Sequence, residues 1–115
     1  MLADGRYEYR AELIRVIDGD TVIVHVQLGF GISVIHTLRL HKINAMEIRG
    51  ENREQGLEAT EHLKKLINNH LPLTIKTIKD STGKYGRYLA ILYDKNGCNL
   101  NLQMVNDGHA VSVDY

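Results

Sequence analysis

The amino-acid sequence predicts an α+β fold: a closed barrel of five short strands, one helix inserted between the third strand and the fourth, and a short helix near the C-terminus. Three observations carry that expectation. Apolar and polar residues alternate along Arg6–Asp18, Thr21–Leu28 and Ser33–Ile43, the pattern of half-buried strands following one another in a meander. Apolar residues then recur at helical spacing from about Arg53 to His70. Alternation returns in Leu73–Lys79 and Arg87–Tyr93. Strand-strand-strand-helix-strand-strand is the order of an OB-fold, in which the helix plugs one end of the barrel.

The first strand sets Tyr7, Tyr9, Ala11 and Leu13 against Arg6, Glu8, Arg10 and Glu12, and its phase slips near Ile14-Arg15-Val16, the mark of a bulge or a strong twist. Asp18-Gly19 is a hairpin turn signal. Asp20 begins the second strand, which carries Val22, Val24, Val26 and Leu28 on one face. Gly29-Phe30-Gly31 is a loop whose glycines do not form a phosphate cradle. In the third strand Leu38 and Leu40, with the stem of Lys42, point one way, and Thr37, Arg39 and His41 the other. Asn44–Gly50 is a loop. Asn52-Arg53-Glu54-Gln55 resembles a capping box. Ala59, Leu63, Leu66, Ile67 and His70 or Leu71 form the buried stripe of the helix, which stops before Pro72. Asp80–Gly86 is a polar loop and Asp94–Gly97 a tight turn. Asn99 caps a short helix that faces Leu100, Met104 and Val105 inward and stops at Gly108. His109–Tyr115 reads as a short tail.

At 115 residues the whole chain, 1–115, is expected to be one domain with a core that needs no disulfide. Cys98 has no internal partner and matches no metal knuckle, so it reads as a core thiol. The histidines lack H-x-x-x-H spacing, which argues against zinc. No apolar run is long enough to span a membrane, and Met1–Arg6 does not open a signal peptide. A formal net charge of zero argues against a strongly basic binder and predicts a shallow salt dependence for any hold on nucleic acid. Acidic Glu51, Glu54, Glu58 and Glu61 nonetheless precede basic Lys64, Lys65, Lys76, Lys79, Lys84 and Arg87. A neutral total can therefore hide a basic surface beside an acidic one.

Asp18-Gly19-Asp20-Thr21 places two carboxylates at a turn, and adjacent hard oxygens suit Ca²⁺ or Mg²⁺. Asp20 is the better ligand, although a turn aspartate also commonly bonds only its own backbone. The side-chain carbonyl of Asn44 and the backbone carbonyl of Ala45 can join Asp20 on one ion, leaving room for water and a phosphate oxygen. Arg39 can hold a phosphate bidentately and Glu47 can take a proton from water. Taken alone, such a pair at a strand end is most often a surface ion pair. Arg87 adds a second cation for the charge of a pentacovalent phosphorus transition state. Lys84 and Tyr85 can hold a neighbouring phosphate or stack on a base, against an equal expectation of plain solvent exposure.

These residues come in a set order: Asp18-Gly19-Asp20-Thr21, Arg39, Ile43-Asn44-Ala45-Met46-Glu47, Lys84-Tyr85-Gly86-Arg87, then Asn101–Gly108. Over about residues 10–112 the chain resembles the staphylococcal (micrococcal) nuclease family, the thermonucleases. The resemblance implies a calcium-dependent phosphodiesterase on an OB-fold barrel, cutting DNA and RNA at the 5′ P–O bond to leave 3′-phosphates. It implies Asp20 as a calcium ligand, Arg39 and Arg87 as the groups that bind the scissile phosphate and stabilise the transition state, and Glu47 as the general base. Lys84 and Tyr85 would touch a terminal or adjacent phosphate, with Tyr115 in the base-stacking place of the family's tail tyrosines. The partners expected are DNA and/or RNA, preferably single-stranded, met by a monomer and without a membrane.

The chain departs from the family pattern around its metal site. Asn44 stands where the second calcium carboxylate falls, and Ala45-Met46 stands in place of Thr-Pro before the catalytic glutamate. An amide removes one charge, so calcium is expected to bind more weakly, and Mg²⁺ or another divalent ion becomes an option. Without the proline, the loop carrying Glu47 is less restricted. The competing expectation is a catalytically silent OB-fold module that binds nucleic acid or protein. In such modules the catalytic residues are usually replaced, whereas Asp20, Arg39, Glu47 and Arg87 all stand in this chain.

Overall fold

A computed structural model of the chain describes residues 7–45, 53–69, 73–78 and 88–113. The elements run β1 (Tyr7–Asp18), β2 (Thr21–Gly29), β3 (Ile32–Leu40), β4 (Ile43–Ala45), α1 (Arg53–Asn69), β5 (Leu73–Ile78), β6 (Tyr88–Tyr93), α2 (Leu100–Asn106) and β7 (Ala110–Ser112). Strands β1, β2, β3, β6 and β5 close in that order into a barrel, the expected OB-type arrangement. Neighbours are antiparallel except β3 and β6, which run parallel and register Leu38 with Tyr88, Arg39 with Leu89 and Leu40 with Ala90.

β1 serves two partners. Tyr7–Ala11 pairs with β5, and Ala11–Asp18 pairs with β2. A strand shared in this way has to bend, and bulges supply the bend. The register shifts between Leu13 and Arg15 and again between Val16 and Asp18. The two skipped residues, Ile14 and Ile17, turn outward and are exposed, so Ala11 and Val16 are both buried with Leu13 packed beside them. The phase slip in the sequence is therefore the barrel corner.

Val22, Val24 and Val26 of β2, Leu38 and Leu40 of β3, Leu73 and Ile75 of β5, and Ala90 and Leu92 of β6 fill the interior. α1 lays Ala59, Leu63 and Ile67 over one end of it. The buried stripe of the helix also includes Gly56 and Thr60, whereas Leu66 is only half-buried. The Thr60 hydroxyl donates to the Gly56 carbonyl at 2.8 Å, which satisfies a polar group inside the contact. His70, Leu71, Asn52 of the capping box, Lys79 and the loop Asp80–Gly86 lie outside the described residues. No helix among the described residues is long and apolar enough to cross a membrane.

The structure corrects the sequence reading in four places. The third strand does not continue to Ile43. Lys42 takes a left-handed φ of 64° and is exposed, so its stem does not extend the apolar face. Ile43 instead opens β4, and the expected tail is a strand: β7 pairs with β4 through Ile43–Ser112, Asn44–Val111 and Ala45–Ala110. Asp20 sits in the hairpin turn with Gly19, and β2 starts one residue later at Thr21. Cys98 is exposed rather than in the core, because it lies in the connection between β6 and α2. Gly19 has a packing role: a Cβ there would lie 2.6 Å from Ala45 Cβ and 2.9 Å from Ala59 Cβ. The β1–β2 turn is thereby pressed against both β4 and α1.

α2 is capped at both ends. The Asn99 side chain accepts from the Leu102 N–H. At the far end Gly108 N–H bonds Val105 O and His109 N–H bonds Met104 O, both at 3.0 Å, with Gly108 at φ 82°. This is a Schellman closure. His62 Nε2 of α1 meets Asp107 Oδ2 at 2.6 Å and its ring stacks on His109 at 4.3 Å. The His62 imidazole beside it holds the Asp107 carboxyl below its usual range. Asn101 is buried and joins three segments: it accepts from Leu92 N–H at 3.1 Å and donates to His41 O at 3.1 Å and Ala90 O at 3.0 Å. Asn101→Leu would strip these partners from buried backbone groups and is expected to cost roughly 2–4 kcal/mol in urea denaturation. An unchanged midpoint would show that the helix, not its asparagine, fixes this junction.

Candidate functional site

The cross-strand pairing of Thr21 with Arg39 brings the end of β3 beside the β1–β2 turn. Asp18 Oδ1 accepts the Asp20 N–H at 3.1 Å, closing an Asx turn. Asp20 Oδ1 accepts from the Thr21 hydroxyl at 3.0 Å and Oδ2 from the Ala45 N–H at 2.9 Å. Arg39 Nη2 lies 3.4 Å from the same Oδ2, with the two side chains only 16% and 14% exposed. Nη1 of Arg39 donates to Leu40 O at 2.9 Å and Ile43 O at 2.8 Å, and Nη2 donates to Asn44 Oδ1. One guanidinium thus spans the β3–β4 turn and meets the Asp20 carboxylate that β4 also contacts.

Burial is the main force on Asp20. Together with a hydrogen bond and charge repulsion from Asp18, it outweighs the Ala45 N–H and the Arg39 charge, and the carboxyl is pushed up to about 6. Two acidic groups beside a single guanidinium leave a site that favours further positive charge. The donor set is all oxygen: two carboxylates, the Asn44 amide carbonyl and the nearby β4 backbone. That chemistry fits a hard cation such as Ca²⁺ or Mg²⁺. No cluster of three or more His, Cys, Asp or Glu side chains able to hold a metal occurs among the described residues, so any ion here would rely on amide and backbone oxygens and on water. Ala45 presents its N–H to Asp20.

Of the residues singled out in the sequence, Asp20, Arg39, Asn44 and Ala45 come together. Glu47, Arg87, Lys84, Tyr85 and Tyr115 lie outside the described residues. In the chain, Glu47 follows Ala45 by two residues, and Arg87 directly precedes Tyr88, the partner of Leu38 next to Arg39. Thr21 and Gly19 were not singled out as site residues. Thr21 supplies the hydroxyl on Asp20, and Gly19 permits the close approach of β4. The sequence signal for Thr21 is weak, because threonine at a strand start is common.

A sequence profile of the family described as staphylococcal nuclease homologue matches residues 37–115. The chain belongs to this family. The matched stretch holds Arg39, Asn44 and Ala45, while Asp20 precedes it. Endonuclease YhcR of Bacillus subtilis (strain 168) is similar to the chain, 28% identical over 116 residues, a match covering 94% of this chain and 9% of YhcR. The chain thus corresponds to a small part of that relative.

Because Asp20 holds its proton more tightly folded than unfolded, its contribution to stability is complete below about pH 3.8 and is lost as pH rises through about 6. Asp20→Asn removes that slope. In urea denaturation without metal the parent is expected to lose stability relative to the variant as pH rises from 4 to 7, because only the parent has a buried carboxyl that gives up its proton in this range. A difference that stays constant across this range would mean that Asp20 is not charged against its surroundings.

Proposed function

We propose that the chain is a metal-dependent nuclease domain, a phosphodiesterase that hydrolyses DNA and/or RNA, preferably single-stranded, at the 5′ P–O bond and leaves 3′-phosphates. The observation that carries this reading is the Asp20–Arg39–Asn44 cluster, built from the end of β3, the β1–β2 turn and β4 in a chain of the staphylococcal nuclease homologue family. Asp20, with Asn44 and the Ala45 carbonyl, would hold the ion, Ca²⁺ in the first instance, with Mg²⁺ or another divalent ion admitted by the amide of Asn44. Such an ion, when bound, supplies charge that polarises a phosphate oxygen.

The chain's own residues account for the rest. Arg39 is held by the Leu40 and Ile43 carbonyls through Nη1, so its orientation is set before substrate arrives, and Nη2, once it gives up Asn44 and Asp20, would meet the scissile phosphate. Arg87 would share the transition-state charge. Glu47, on the segment that follows β4, would take the proton from the attacking water. Lys84 and Tyr85 would contact an adjacent phosphate and Tyr115 a base. Because β7 clamps β4, it fixes the start of the segment that carries Glu47.

One observation favours a second reading, a silent binding module. Every Nη of Arg39 already has acceptors within the protein, Asp20 and Asn44 among them. The two readings part in one experiment: single-stranded DNA and RNA with Ca²⁺ or with EDTA, beside Glu47→Gln. Cleavage is expected to require the ion, to leave 3′-phosphate ends and to fall by about 10²–10⁴-fold in Glu47→Gln. A variant that cuts as fast as the parent would remove Glu47 as the base. Tight binding without any cleavage would favour the silent module.

A further inference from the structure

Among the described residues, the end of the barrel away from α1 is open. Tyr9 at the start of β1, Val26 and Leu28 at the end of β2, Val34, His36 and Leu38 of β3, Ile75 and Thr77 of β5 and Tyr88 of β6 enclose a cavity of about 260 Å³ there. We propose that this cavity is a nucleobase site for a base of the bound strand lying a few nucleotides from the phosphate at Arg39. The proposal rests on the nuclease reading above.

Three features support that occupant over an aliphatic one. His36 and Tyr88 meet edge to face, with ring centroids 4.9 Å apart and planes at 80°. They form a corner in which a planar ring can stack on one wall and meet the other at its edge. Residues with polar groups stand among the aliphatic ones of the lining: Tyr9, Tyr88, His36 and Thr77. Thr77 donates to Tyr7 O at 3.3 Å, which leaves its oxygen able to accept. An acyl chain would use none of these groups, whereas a base presents donors and acceptors around its rim. The volume lies below the range of drug-sized pockets and suits one base rather than a long ligand.

Access follows from the topology. β3 pairs with β2 from Ile32 to Arg39, but it meets β6 only from Leu38 onward. Among the described residues, β3 from Ile32 to Thr37 therefore has a neighbour on one side only, and the barrel wall opens there towards the cavity. His36 on the cavity rim and Arg39 lie three residues apart on one strand, roughly 10 Å at about 3.3 Å per residue, and on opposite faces of it. A nucleic-acid strand whose phosphate sits at Arg39 would reach the cavity by crossing the edge of β3 that has no described neighbour.

The test uses the full chain with methyl-resolved NMR, and adenosine, thymidine and decanoate as probes. The nucleosides are expected to shift the methyls of Val26, Val34 and Ile75 while those of Leu63 and Ile67 under α1 stay still. Val34→Phe, which fills the cavity, and Tyr88→Ala, at an exposed side chain, are expected to abolish the shifts. In cleavage of single-stranded oligonucleotides scanned with one abasic residue, KM should rise about five- to hundred-fold at one position, the range spanned by the loss of one stacking contact, with kcat unchanged. Neither variant should show that step. Cleavage with no abasic-sensitive position and no nucleoside shift would overturn the base site and leave the nuclease reading standing. Nucleoside shifts in a protein that cuts nothing would keep the site and overturn the nuclease reading. Shifts with decanoate alone would reassign the cavity to an apolar ligand.

Discussion

The buried contact between Asp20 and Arg39 is the constraint on which the site depends. A carboxylate and a guanidinium at 3.4 Å, both mostly hidden from water, are costly to desolvate, and they persist because each is tied into the backbone. Asp20 accepts from Ala45, and Arg39 donates to Leu40 and Ile43. The same few atoms therefore decide where β3 ends, how the chain turns through Lys42, and how β4 lies against the hairpin. Gly19 makes this possible by leaving space that a methyl group would occupy. Charge and packing are joined at this point, and a change to either is felt by the other.

The position of Asn44 follows from that arrangement. It sits on a three-residue strand too short to hold its place alone, with Val111 as its partner on one side and the Arg39 guanidinium on the other. With an amide in place of a carboxylate, the cluster carries less negative charge, and Arg39 balances a larger share of what remains. Any cation that enters must compete with Arg39 for Asp20 Oδ2 and Asn44 Oδ1. The physical question at this site is therefore one of exchange between two positive groups over shared oxygens.

Much of this was legible from the sequence. Period-two alternation located every barrel strand, because each one buries a single face. The slip at Ile14-Arg15-Val16 located the bulge, and Asn99 and Gly108 located the ends of α2. Asp20, Arg39, Asn44 and Ala45 were identified as a group and do meet. The misses share a cause. β4 and β7 are too short for alternation to register, and each is a strand only because of the other, some seventy positions away in a pairing such as Ile43 with Ser112. Lys42 kept the polar-apolar rhythm while its backbone left the strand. Asn101, one residue after Leu100 on the inner side of α2, was the one polar signal that could have revealed a buried hub. Cys98 looked apolar by type, but its place in a connection decided its exposure.

The pairing of β1 with β5 has a consequence for how the molecule comes into being. Tyr7 and Thr77 touch although they are separated by 70 positions, and β4 finds its only described strand partner at Ala110–Ser112. As the chain leaves the ribosome, the β1–β2–β3 hairpins can form at once, which brings Asp20 and Arg39 together early. The free edge of β1 must wait for β5, and β4 must wait until Ala110–Ser112 have been made. Contacts this distant are slow to close. The newborn protein therefore passes through a stage in which half its acidic centre exists but the segment leading to Glu47 is still unanchored.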